Sequence, residues 1–80
     1  MITRQEIRDW LEAGIEDGST HVIIMCDTFS YDDYPVYVKA GQNPRDVMPK
    51  GNMQRAIECY DLRKDIDSQM NEDRAYHWDV

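Results

Sequence analysis

The chain has 80 residues, 16 Asp and Glu against 9 Lys and Arg, a formal charge of -7 and a pI of about 4.5. That length makes one domain near the lower end of what folds alone. That charge repels nucleic acid and attracts basic protein surfaces, and the bases are scattered with no basic run, so direct nucleic-acid binding is not expected.

The acids run from Glu6 to Asp79 and interleave with an apolar pattern, so the chain reads as a folded acidic domain and not as an acidic tail. The apolar share is 41% and the mean hydropathy -0.75, partly offset by five Tyr, two Trp and one Phe, each with a large area to bury. A homodimer is one way to complete so small a core. The N-terminus is polar almost at once, and the longest apolar run, residues 22–26, is strand-sized. Neither a signal peptide nor a membrane span is expected. Cys26 and Cys59 have neither metal-ligand spacing nor disulfide density, which suits two buried thiols in a reducing cytoplasm.

In chain order, Thr3 with Glu6 three residues on is a capping-box pair, and Ile2 with Ile7 can form a hydrophobic staple. Ile7, Trp10, Leu11 and Ile15 recur at helical spacing, and Gly18 supplies a left-handed stop, so a helix is expected over 4–17. Gly14 lies on the apolar stripe, where a missing side chain lets a strand come close. Residues 20–28 read as a strand covered on both faces, because their apolar positions are continuous. A turn over 29–33 leads to a second strand, 34–40, with Val36 and Val38 on one face and Tyr37 and Lys39 on the other. Pro35 marks it as an edge strand in an antiparallel hairpin.

Asn43-Pro44-Arg45-Asp46 reads as an N-cap with Pro in the first turn, a short helical segment that Pro49 ends. Asn52 is expected to cap a long helix reaching about Asn71. Met53, Ala56, Ile57 and Tyr60 would form one stripe, and Cys59, Leu62, Ile66 and Met70 a second. Arg63 and Asp67 would pair at i,i+4 on it. In the tail, Tyr76, Trp78 and Val80 alternate, which fits a short third strand or an aromatic clasp. The expected fold is α+β: helix, β-hairpin, helix, with the helices covering a small antiparallel sheet. The expected core is Trp10, Leu11, Ile15, Val22, Ile24, Val36, Val38, Ile57 and Tyr60.

Reactive chemistry has little support. Cys26-Asp27-Thr28 ends a strand, but neither His21 nor His77 is near it in sequence, and a thiolate needs a base or a positive pocket. Asp27, Asp32 and Asp33 lack the central Gly and closing Glu of a calcium loop. No catalytic residue, metal or cofactor is expected. Asp9, Glu12 and Glu16, at i, i+3 and i+7, place a carboxylate every ~4.5–6 Å along a helix face, comparable with phosphates along one nucleic-acid strand. Asp61, Asp65 and the acids at 72–73 would continue such a row on the long helix. A solvated, soluble face is the plainer account of either row.

The segments Thr3-Arg-Gln-Glu-Ile-Arg-Asp-Trp-Leu, His21-Val-Ile-Ile-Met-Cys-Asp-Thr-Phe and Asp33-Tyr-Pro-Val-Tyr-Val, with Asn52-Met-Gln-Arg and the helix expected after it, resemble small uncharacterised proteins of bacteriophages and prophages. The resemblance implies a compact product acting in the host cytoplasm, with no catalytic residue to carry over. Small acidic phage proteins are often inhibitors of host defence, anti-CRISPR proteins among them. The expected function is therefore a non-enzymatic inhibitor that binds a basic, nucleic-acid-handling surface of a host defence protein or ribonucleoprotein. It would use Asp9, Glu12, Glu16, Asp32 and Asp33, with Tyr31 and Tyr34 as aromatic anchors, and neither nucleic acid nor membrane directly. The alternative is a homodimeric phage regulatory or housekeeping protein without mimicry.

Overall fold

The computed structural model describes residues 3–48 and 53–71. Helix α1 spans Arg4–Glu16, strand β1 Ser19–Asp27, strand β2 Asp33–Lys39, helix α2 Pro44–Val47, strand β3 Gln54–Asp61 and helix α3 Ile66–Asn71. The fold is α+β, as expected, and β1 is the centre of an antiparallel sheet of order β2-β1-β3.

Local signals set α1 and the hairpin. The Thr3 hydroxyl accepts from the Glu6 N–H at 3.1 Å. Gly18, at φ 78°, turns the chain out of the helix while its N–H bonds the Ile15 carbonyl. The Ile2 staple lies outside the described residues. In the hairpin, Ile23 faces Val36 and Met25 faces Tyr34. The Asn43 side chain caps α2 by accepting from the Arg45 N–H at 2.9 Å; the stop expected of Pro49 lies outside the described residues.

The long helix expected over 52–71 does not form. Residues 54–61 are β3, a turn comes next, and only 66–71 are helical. Two physical reasons account for this. Residues 22–26 are all buried, and a strand buried that fully needs a partner on each edge. The register against β3 then shifts between Ile24 and Met25, so Ile24 faces Glu58 and Met25 faces Ala56. The extra residue, Ile57, breaks the alternation and gives 56, 57, 59 and 60 a spacing that imitates a helix. The Arg63–Asp67 pair falls with the helix: Arg63 pairs with Asp61, and Asp67 with Arg8. So does the acidic row, since Asp61 is buried on β3 and Asp65 caps α3 by accepting from the Ser68 N–H and hydroxyl. Residues 72–73 and the expected tail strand lie outside the described residues.

The sheet has an apolar cluster on each face. Ile7, Leu11, Val22, Ile24, Tyr60 and Met70 form one under α1 and α3, with Trp10, Tyr37, Ile57, Leu62 and Ile66 packed against them. Ile23, Met25, Val38, Ala56 and Cys59 form the other, with Tyr34, Val36, Val47 and Met48. Of the expected core, Ile15 is the exception, at 48% exposed. The inward place in that turn belongs to Gly14, where an added Cβ would lie 2.8 Å from Leu62 Cδ1 and 3.0 Å from Val22 Cγ2. Ile15, about 100° further round the helix, points past the sheet.

Candidate functional site

Among the described residues, the turn from β1 to β2 carries the most exposed aromatic side chains. The Asp27 N–H donates to the Asp32 carbonyl at 2.9 Å, and the Tyr31 N–H to the Asp27 carbonyl at 2.6 Å. The Asp27 carboxylate accepts from the Phe29 N–H at 2.9 Å, so this acid folds the turn locally. Beside it, the Thr28 N–H donates to the Met53 carbonyl at 2.7 Å, which fixes the residue entering β3 against the turn. The turn is thus held at both ends, yet its large side chains face water: Phe29 is 77% exposed, Tyr31 73% and Met53 48%.

Tyr31 holds a backbone conformation that favours glycine, with φ 60°. A bulky residue there is uncommon and costs about 1 kcal/mol or more. The turn therefore displays this ring at some expense in stability.

Of the residues expected in the site, Tyr31 and Asp32 are exposed on the turn, and Asp33 is half-buried at the start of β2. Tyr34 is half-buried as well, packed against the Ile23 cluster on the face away from α1. Asp9, Glu12 and Glu16 are all exposed on α1. Asp9 accepts from the Gln5 side chain at 2.8 Å, and Glu12 pairs with Arg8 at 3.3 Å. Glu16 does not share a patch with the turn. Glu16 adjoins the start of β1 and the turn lies beyond its end, ~27 Å away along nine extended residues. No ion pair among the described residues uses Asp27, Asp32 or Asp33, whereas Glu12, Asp17, Asp61 and Asp67 each meet a base of the same chain.

At the opposite end of the sheet is a buried polar cluster that sequence reasoning missed. His21 and Asp61 face each other across β1 and β3, at 4% and 5% exposure, with His21 Nε2 3.8 Å from Asp61 Oδ2. The Thr20 hydroxyl donates to the Val38 carbonyl at 3.3 Å and lies 2.9 Å from His21 Nδ1. Burial pushes the His21 pKa down against the opposing pull of Asp61. Arg63 donates through Nε and Nη2 to the Asp61 carboxylate and, with its backbone N–H, holds that carboxyl below the usual range. Both Asp61 oxygens are engaged by Arg63. A cavity of about 330 Å³ bordered by His21, Gly41, Gln42, Asn43, Pro44 and Arg63 adjoins this cluster.

The hydroxyl that meets His21 also donates to the Val38 carbonyl, and Asp61 stands on the Nε2 side of the ring. Cys26 and Cys59 are buried and form no disulfide with each other. Burial, and then the nearby Asp33 carboxylate, push the Cys26 thiol up, away from a reactive thiolate. Among the described residues no three His, Cys, Asp or Glu side chains are grouped to hold a metal, and no helix is long and apolar enough to cross a membrane. The exposed turn could have been anticipated from Phe29 beside Tyr31 in a turn of polar residues. Met53 could not, since its place depends on β3.

Comparison with models of protein families, with curated proteins and with solved structures gives no match.

Proposed function

We propose that this protein is a non-enzymatic binding module that inhibits a basic, nucleic-acid-handling partner, a host defence complex of the kind that phage anti-CRISPR proteins block. One observation carries the reading. Phe29, Tyr31 and Met53 are held exposed on a hydrogen-bonded turn beside carboxylates that no base of the described chain neutralises. Exposed aromatics on an ordered scaffold supply affinity, because they bury large area while losing little entropy. The formal charge of -7 supplies steering toward a positive surface. The α1 carboxylates Asp9, Glu12 and Glu16 add to that field. The phage-like segments give the biological setting.

The test is plaque formation. Cells whose CRISPR system is programmed against a phage are made to express the protein. Restored plaques support the reading. Unchanged immunity across the DNA-targeting CRISPR types, with the protein shown to be folded and abundant, rejects the anti-CRISPR form of it.

A further inference from the structure

Resting on that reading, we propose that the β1–β2 turn is an arginine-binding surface: the exposed rings of Phe29 and Tyr31 stack on a guanidinium of the partner while Asp32 and Asp33 pair with its N–H groups. The argument is one of chemical matching. A purely apolar partner would leave the carboxylates of the turn desolvated without a counter-charge, which is costly. A lysine ammonium satisfies the carboxylates, but it is compact and strongly hydrated and gains less from a ring face. A guanidinium is planar and weakly hydrated. It offers a face to the rings and an edge of N–H donors to carboxylates at once.

The turn presents both halves of that match within five residues. Phe29 and Tyr31 are the most exposed of its large side chains. Asp32 and Asp33 come directly after, outside every ion pair of the described chain. Elsewhere Glu12 and Asp67 meet Arg8, and Asp61 meets Arg63. Among the described residues, the turn is where acids outside any ion pair adjoin strongly exposed rings. Arginine is also the side chain that nucleic-acid-handling surfaces present to phosphates and bases, so the turn would occupy the residues the natural ligand needs.

The experiment is an amide NMR titration of the full chain with two glycine-serine peptides, one carrying four arginines and the other four lysines at the same positions. The arginine peptide is expected to bind at least about threefold tighter, with shifts concentrated at residues 28–33 and 53. Phe29→Ala combined with Tyr31→Asn, Asn being tolerated at positive φ, should bring the two peptides to equal affinity with no loss of melting temperature. Equal binding of both peptides by the unaltered chain, or shifts centred on Asp9, Glu12 and Glu16, overturns the arginine proposal and leaves the acidic-surface reading standing. No binding of either peptide at low salt removes both.

Discussion

Gln69 and the backbone of Asp61 exchange two hydrogen bonds: the Asp61 N–H donates to Gln69 Oε1 at 2.8 Å, and Gln69 Nε2 donates to the Asp61 carbonyl at 2.7 Å. Gln69 is 4% exposed, so this side chain completes the end of β3 from α3, beyond the reach of water. A helix as short as Ile66–Asn71 has no stability of its own. It is held by Gln69, by Met70 in the core and by the Arg8–Asp67 pair with α1. Gln69→Leu leaves a buried N–H and C=O without partners and should cost about 1–3 kcal/mol in urea denaturation. Amide exchange should accelerate first in α3.

Gly14 sets how closely α1 lies on the sheet. Alanine gains about 1 kcal/mol of helix propensity, but its Cβ would meet Leu62, Val22 and Tyr37 at 2.8, 3.0 and 3.2 Å. Leu62 can turn aside; the γ-branch of Val22 and the Tyr37 ring have less room. Overpacking of this kind costs about 1–3 kcal/mol, so Gly14→Ala should lower stability on balance. A higher unfolding midpoint would show that the helix can lift away freely.

Tyr31→Gly separates stability from binding. Glycine removes the strain at φ 60°, and the fold should gain about 0.5–1 kcal/mol. The partner would lose an anchor ring, which should mainly speed dissociation. A variant that is both less stable and equally active would mean that the ring packs on its own chain.

The pH dependence comes from His21 and Asp61. The folded chain binds a proton at His21 less readily than the unfolded chain, whose imidazole titrates at about 6.5. Stability from this group is complete above that value and declines as pH falls from there toward the lower folded value. Arg63 and Lys64 act in the same direction as burial, and Asp61 opposes them. Asp61, held low chiefly by Arg63, contributes above the ordinary carboxylate pKa of about 3.9 and loses that contribution as pH falls through its lower folded value. His21→Gln should flatten the fall in melting temperature between pH 7.5 and 5 while leaving the steeper loss below pH 4. An unchanged curve between pH 7.5 and 5 would assign that window to other groups.

Where the sequence was legible, short-range chemistry decided the structure. Thr3, Gly18, Asn43 and Pro44 punctuate the chain by local hydrogen bonds and backbone limits, and the elements beside them lie within a residue or two of expectation. The continuous apolar run at 22–26 correctly announced a strand covered on both faces. β3 was not legible because its bulge at Ile57 disguises the alternation, and because what demands it is the open edge of β1, a tertiary requirement. The same miss hid the His21–Asp61 cluster, which exists only once β3 pairs with β1, and the place of Met53 beside the turn. Tyr31 and Asp32 were recognisable as exposed turn residues. That Tyr34 faces the far side of the sheet from α1, and that Glu16 lies at the other end of β1, are consequences of topology.

The central claim is tested most directly by the salt dependence of affinity for the proposed partner, a basic host defence complex. Exposed opposite charges are screened over a Debye length of ~8–10 Å near physiological ionic strength. Affinity should fall about tenfold or more between 50 and 300 mM salt, chiefly through a slower association rate, and Phe29→Ala with Tyr31→Asn should weaken binding at every salt concentration by speeding dissociation. Affinity that stays level across the series, and is indifferent to those two rings, would contradict the account and favour an interface, such as a homodimer, that uses neither the acids nor the turn.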